Sequence, residues 1–341
     1  MQRRDTAPVL LIADGNNLAW AGFHALRRPM GAETPEQKTR AALLGFTQQL
    51  MGIIARGGEP PLTPAGRPMR SGEPPTAVAV CFDEGRPLRR RMIFPGYQLG
   101  REGESSFMDN EPFVLAAIAE FTEAAAVLPI TILRGKNTEA DDLVSALVLQ
   151  SPADRIRICS TDRDFLQLVD ERVSIYAPVK RIVINDTNFS EVTSPRDSSD
   201  RPAIFPRERF LDYRAASGDA SDNLPGIPGV GALTAAKLLA YAPLDAYFEK
   251  PAMVTAALER RNVKLEGALR SDEARTIVER NREMMDLRRA ALNYPDLAPY
   301  TVTGSWDEAV FRAWVAEQRI AGLEIEGAVR ALEAVAASRR S

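Results

Sequence analysis

Residues 129–150 read PITILRGKNTEADDLVSALVLQ. A five-residue apolar run, PITIL, is followed by a short polar turn and then by an apolar helical pattern. Glu139, Asp141 and Asp142 stand together at the head of that helix. A strand feeding directly into a helix is the βα half of a parallel α/β unit. The same pattern recurs outward from this stretch. VLLIA (9–13), TAVAVCF (76–82) and RIRICS (155–160) are further Val- and Ile-rich runs that read as buried strands. Between them, residues 35–55 and 111–127 carry apolar positions at three- and four-residue spacing, as residues 139–150 do. The expectation is an α/β fold, a mostly parallel sheet with helices on both faces. Residues 56–75, rich in Pro and Gly, read as an exposed loop, and residues 185–202 as a link to a second, mainly helical region. The reading divides the chain into a catalytic domain over 1–200 and a helical domain over 201–341.

Composition narrows the chemistry. The 341 residues include one His, His24, and two Cys, Cys81 and Cys159, both inside strand-like runs. A zinc site built from several His or Cys has no ligands to draw on. His24 has no G-x-S-x-G partner motif for a hydrolytic triad and reads as structural. Two buried thiols suit a reducing compartment rather than a disulfide framework. The N-terminal apolar run is too short for a secretory signal and is broken by Asp14, and no run is long enough to span a membrane. Any metal chemistry falls to oxygen ligands, which favour Mg²⁺ or Mn²⁺.

The acids supply those oxygens. Asp14 follows the first strand, Asp83 the second, and Asp162 and Asp164 the fourth, while Glu139, Asp141 and Asp142 open the helix after the third. Sites in open parallel sheets form at the carboxyl ends of the strands. Asp219 and Asp222 stand further on, in SGDASDN. Each acid taken alone is better explained as a helix cap or turn residue. Crowded together, they would repel one another unless a cation neutralised them. A pair of divalent ions would also hold water and leaving oxygen in line about phosphorus.

GDASDNLPGIPGVGALTAAKLLAY (218–241) is the second informative segment. Gly226, Gly229 and Gly231 punctuate a turn that opens a helix, leaving backbone N–H groups for a phosphate. Lys237, farther along that helix, adds a charge. A tight helix–turn–helix corner is an equal alternative for this segment alone. It lacks the G-K-[ST] of a nucleotide-binding P-loop.

Together, IADGNNLAWAGFHAL, VCFDEGRPLRRRMIFPGYQLGR, EADDLVSALV, STDRDFLQLV and GDASDNLPGIPGVGALTA resemble the 5′ nuclease family, in the family's order and over about residues 9–241. That family includes the nuclease domain of bacterial DNA polymerase I, the phage 5′ exonucleases and the flap endonucleases. The resemblance implies a PIN-like core with a helical arch at about 86–115, followed by a helix–three-turn–helix DNA-binding module. It implies that Asp14, Asp83, Glu139, Asp141, Asp162, Asp164, Asp219 and Asp222, with Asp142 beside them, bind two or more Mg²⁺ or Mn²⁺ ions, and that K⁺ binds in the glycine turn. It further implies that Arg90, Gln98 and Arg101 act on the scissile phosphate, and that Tyr97, Gly226, Gly229, Gly231, Thr234 and Lys237 contact DNA. Substrates would be 5′ flaps, 5′ overhangs or nicked duplexes, including the RNA of RNA–DNA hybrids, cut to 5′-phosphate and 3′-hydroxyl ends. A cytoplasmic, nucleoid-associated monomer of phage or bacterial type is expected.

The bottom-up chemistry agrees. Arg89, Arg90, Arg91 and Arg101 are basic groups suited to charge developing on phosphoryl oxygens. The formal net charge is −3, and setting aside the nine acids turns it to +6, fit for a polyanion. Three positions depart from the family pattern: Gln98 and Leu233 stand where lysines are usual, and Ala21 where many members carry Arg. Cleavage that is slower, or more dependent on Mn²⁺, is expected. A catalytically weak DNA-junction binder of the same fold and a PIN-type ribonuclease are the competing readings.

Overall fold

The computed structural model describes residues 9–61, 74–100, 105–320 and 322–340. The chain divides into two compact units. The first comprises residues 1–86, 106–185 and 290–341, and the second residues 87–105 and 186–289. The sequence reading kept 87–105 and 186–200 with the catalytic domain and 290–341 with the helical one, so the observed units are drawn differently in all three places.

The first unit is built on a seven-stranded sheet. Its strands are β1 (Val9–Asp14), β2 (Ala77–Cys81), β3 (Thr131–Leu133), β4 (Arg155–Cys159), β5 (Val173–Ala177), β6 (Ile182–Ile184) and β9 (Thr301–Thr303), in the order β6-β5-β4-β1-β2-β3-β9. The inner pairings are parallel, and the two edges, β6 and β9, are antiparallel. This is the expected α/β architecture, with the first four strands where the apolar runs placed them. Alternation assigns the faces. Leu11, Ala13, Val78 and Val80 join the main core cluster, whereas Leu10, Ile12, Ala79 and Cys81 are also buried but lie outside it. Burial on both faces is why these strands read as nearly continuous apolar runs.

The main core is closed by α1 (Gly15–Arg27), α2 (Pro35–Ala55), the helix Glu111–Ala124 and the returning helix Ile325–Ser338. The start of α2 is fixed locally. Thr34 Oγ1 accepts from Gln37 N at 3.3 Å, Gln37 Oε1 accepts from Thr34 N at 3.0 Å, and Pro35 occupies the first turn. α1 and α2 cross backbone on backbone. A Cβ at Gly45 would strike the Gly22 carbonyl group, and one at Gly22 would strike Gly45 and the amide of Phe46. That crossing seats α1 on the sheet and fixes the helix whose first turn begins at Asp14.

The second unit is helical around a two-stranded ribbon, β7 (Gly218–Asp219) with β8 (Leu224–Pro225). The helix Asp272–Met285 supports it. Asn281 is fully buried and its amide donates to the carbonyls of Ala215 and Pro225, each at 2.9 Å. Arg280 donates to the Pro225 carbonyl at 3.0 Å and lies over the Phe94 ring, 4.6 Å from its centroid. Tyr97, Leu224, Met284 and Met285 form a small apolar cluster beneath.

Gly45→Ala overpacks the α1–α2 crossing and is expected to cost about 1–3 kcal/mol, read as a lower midpoint in urea unfolding. An unchanged midpoint would show that the helices can separate freely at this point.

Candidate metal centre and nucleic-acid interface

Asp14 ends β1, the central strand, and caps α1: its Oδ1 accepts from Asn17 N at 3.1 Å. Its Oδ2 accepts from Ser160 Oγ at 2.7 Å, and Ser160 Oγ in turn accepts from Asp162 N at 3.0 Å. One hydroxyl thus bridges the acids that follow β1 and β4. Two asparagines of α1 bracket the neighbouring turns. Asn16 Oδ1 accepts from Asp83 N at 3.0 Å, and Asn17 Oδ1 accepts from both Thr161 N and Thr161 Oγ1 at 2.9 Å. Asn16, Asn17 and Ser160 were not singled out from the sequence. The adjacent Asn-Asn pair after a strand-ending Asp was the available signal, since short polar side chains at a helix start bind backbone donors.

The helix Ala140–Gln150 settles whether its acids are caps. Glu139 occupies the N-cap position but makes no side-chain capping bond. Asp83, from the turn after β2, fills that role instead, accepting from Ala140 N at 2.7 Å. Asp141 and Asp142 are successive helical residues, about 100° apart around the axis, and their environments differ. Asp141, with Asp14 and Asp83, bears on the buried Cys81 thiol, which burial and then these three carboxylates push well above its ordinary range. Asp142 is 3% exposed, and its Oδ2 accepts from the Tyr294 hydroxyl at 3.4 Å. Tyr294 is itself pushed up to about 12, by burial first and then by Asp142.

Asp14 carries the electrostatic consequence. Burial, then the nearby Asp83 and, more weakly, Asp162 raise its carboxyl from 3.8 to about 7, against the lowering effect of the Ser160 and Asn17 hydrogen bonds. A carboxylate forced up by neighbouring carboxylates is relieved by a cation. Asp83 and Asp162 act on Asp14, and Asp14, Asp83 and Asp141 all act on Cys81, so these four hard oxygen donors belong to one acidic neighbourhood, of a chemistry that suits Mg²⁺ or Mn²⁺. Asp164 follows in the turn after β4, its amide donating to Asp162 Oδ1 at 2.7 Å.

In the second unit, Asp219 Oδ1 accepts from Ser221 N at 2.8 Å and Ser221 Oγ at 2.6 Å, and its Oδ2 pairs with Arg214. Burial would raise this carboxyl, but Ser221 and Arg214 hold it below the ordinary range. The Asp222 carbonyl accepts from Gln98 N at 3.1 Å. Gln98 has a left-handed backbone, with φ 57°, and its side-chain amide donates to the Tyr97 hydroxyl at 3.1 Å. Tyr97, expected as a DNA contact, is buried at 5% exposure. Arg90, expected to act on the scissile phosphate, is 3% exposed, and its Nε donates to the Met284 carbonyl at 3.0 Å. Arg101 lies outside the described residues.

The glycines of the turn separate into two kinds. At Gly226 a Cβ would collide with the backbone of residues 216–218, so this glycine is needed for packing. At Gly229 (φ 83°) and Gly231 a Cβ would meet nothing, and both are exposed. Gly231 has ordinary extended torsions at the N-cap of the helix Ala232–Tyr241, with no capping side chain. Thr234 is half-buried and Lys237 exposed on that helix.

The Asp14 shift has a signed consequence for the metal-free protein. A carboxyl raised in the fold binds more protons folded than unfolded between about pH 4 and pH 7, so its contribution to stability is lost as pH rises through that window. Asp14→Asn keeps an acceptor for Asn17 and removes the charge. In EDTA it is expected to melt above the wild type at pH 8, with the gap closing by about pH 4. A gap independent of pH would contradict the shift.

Known proteins agree with this fold. Residues 9–194 match the family model described as 5′-3′ exonuclease, N-terminal resolvase-like domain. The chain is 33% identical over 288 residues to DNA polymerase I of Mycobacterium bovis, covering 83% of this chain and 27% of that protein. It is 29% identical over 232 residues to the thermostable DNA polymerase I of Thermus aquaticus, covering 67% of this chain and 23% of that protein. It therefore spans about a quarter of the length of these curated relatives. Among solved structures, T5 5′-exonuclease with zinc bound superposes at a TM-score of 0.60 and 16% identity, covering 91% of this chain and 98% of that one. The T5 flap endonuclease in a pseudo-enzyme-product complex with DNA and metal ions gives 0.57 and 16%, covering 95% and 99%. These two are likenesses of fold. With a family model spanning more than half its length, the chain belongs to the 5′-3′ exonuclease family, with residues 9–194 forming the N-terminal resolvase-like domain.

Proposed function

We propose that this chain is a divalent-metal-dependent 5′ nuclease that hydrolyses DNA phosphodiesters at 5′ ends, overhangs or flaps, leaving 5′-phosphate and 3′-hydroxyl termini. The observation that carries the reading is the buried Asp14 at the end of the central strand, tied through Ser160 to the turn of Asp162 and lying near Asp83, a crowding that raises its carboxyl. Bound Mg²⁺ or Mn²⁺ would supply a deprotonated water and neutralise charge on the phosphoryl oxygens. The protein's part is to hold the oxygen donors rigidly. Asn16, Asn17 and Ser160 fix the turns that carry Asp83 and Asp162, and Asp83 caps the acid-headed helix. Asp219 and Asp222 are offered as further ligands or their supports, with Asp219 already partnered by Arg214.

The open backbone at Gly229 and Gly231 supports close approach of a sugar–phosphate chain, with Lys237 adding charge and K⁺ as the cation suited to the turn's carbonyl groups. A monomer in the cytoplasm, acting on flapped or nicked duplexes and on the RNA of hybrids, belongs to the same proposal. It accords with relatives that are DNA polymerase I and with a T5 neighbour crystallised with DNA and metal ions. Among the described residues no helix is long and apolar enough to cross a membrane.

A second reading, a DNA-junction binder with feeble catalysis, is favoured by one observation. The position where a lysine is usual holds Gln98, whose side chain is engaged with Tyr97. A 5′-labelled flap duplex separates the two. Cleavage with Mg²⁺ or Mn²⁺ that EDTA abolishes, and that Gln98→Lys accelerates by about 10²-fold, is the expected result. Tight binding with no product in either metal would overturn the nuclease reading.

A further inference from the structure

The segment that returns to the first unit after residue 290 reaches the acid-bearing helix. The Tyr294 hydroxyl donates to Asp142 Oδ2 at 3.4 Å, and Thr138 hydrogen-bonds to the same Tyr294 oxygen. The Tyr294 carbonyl accepts from Gln150 Nε2 at 2.7 Å, at the far end of the same helix. Tyr300 completes the grip. Its ring stacks edge-on against Tyr294, with centroids 5.3 Å apart, and lies on Gly135, where a Cβ would collide with it. Its carbonyl accepts from Arg134 N at 2.9 Å. The turn Gly135–Thr138, which delivers Glu139, is therefore held by two tyrosines. On its other side the Thr138 carbonyl accepts from Glu84 N at 3.0 Å, one residue beyond Asp83.

We propose that Tyr294 is a positioning residue for the acid rim: through Asp142 and Thr138 it fixes the start of the helix Ala140–Gln150, and with it the carboxylates of Glu139 and Asp141. On this account Asp142 is a strut and not a cation ligand. Its neighbour Asp141 acts, with Asp14 and Asp83, on the buried Cys81 thiol, whereas Asp142 is buried against a phenol. Rigid support behind ligand-bearing groups governs metal affinity, and losing one such hydrogen bond costs about 10–100-fold.

The inference rests on the metal-dependent reading of this rim, and its test is therefore binding in the absence of DNA. Mn²⁺ is titrated calorimetrically into the whole protein and into Tyr294→Phe, Asp142→Asn and, as the reference for a lost ligand, Asp14→Asn, with melting temperatures measured alongside. Tyr294→Phe keeps the ring and is expected to bind Mn²⁺ about tenfold more weakly while melting close to the wild type. Asp142→Asn retains an oxygen for the phenol and is expected to bind Mn²⁺ nearly as the wild type does. If Tyr294→Phe does not fold, Thr138→Val removes the second hydroxyl of the network and is expected to weaken Mn²⁺ binding in the same sense. Wild-type affinity in Tyr294→Phe, or in Thr138→Val where that replaces it, overturns the proposal. So does an Asp142→Asn loss as severe as that of Asp14→Asn, since it makes Asp142 a ligand. A wild-type protein that binds Mn²⁺ yet leaves 5′ flaps uncut overturns the nuclease reading alone.

Discussion

The Asp14 carboxylate ends the central strand of the sheet, buried, with Asp83 and Asp162 near enough to add to its shift. A fold seldom keeps such a group without a partner, because burial and like charge both oppose its ionised form. Here the surrounding structure keeps it in place. Ser160 and the Asn17 amide occupy its two oxygens, and α1 is seated by the glycine crossing with α2. Asn16 and Asn17 extend the constraint to the turns after β2 and β4. Rigidity of this kind prevents the acids from relaxing apart, so the repulsion persists in the metal-free protein.

Capping and ligation compete for the same carboxylates, and the structure divides the labour. Asp14 caps its own helix while burial and its acidic neighbours raise its carboxyl to about 7. The next acid-headed helix is capped from outside by Asp83, which leaves Glu139 without a capping bond. Asp142 turns to the phenol of Tyr294. Glu139, Asp141 and Asp142 thus have three different surroundings: Glu139 at an extended N-cap, and Asp141 beside Cys81 and Asp142 beside Tyr294, parted by a helical rotation of about 100°.

The sheet's inner strands were legible because burial on both faces writes uninterrupted apolar runs, and α2 because its apolar residues recur at three- and four-residue spacing. β5, β6 and β9 were missed. β6 and β9 are three-residue edge strands, too short for alternation to register, and β5 lies between turn-rich stretches. The return of residues 290–341 to the first unit was not legible either, because amphipathic spacing shows that a helix has a buried face but not which surface buries it. The acids could be read as a group from their positions after strands. Asn16, Asn17, Ser160 and Tyr294 could not, because a hydrogen-bonding support has no spacing of its own. The burial of Arg90 was not legible either: a run of three arginines suggests phosphate contacts, and only the packing shows its middle member buried with its Nε on the Met284 carbonyl.

The central claim is that the rim around Asp14 holds together as an oxygen site for divalent ions. Diffraction from crystals grown in Mn²⁺, recorded at the manganese absorption edge, tests it most directly. Anomalous density within coordination distance of Asp14 and at least one of Asp83, Asp141 and Asp162 is the predicted result. Ordered carboxylates with no anomalous signal among them, at saturating Mn²⁺ and pH above 7, would contradict it.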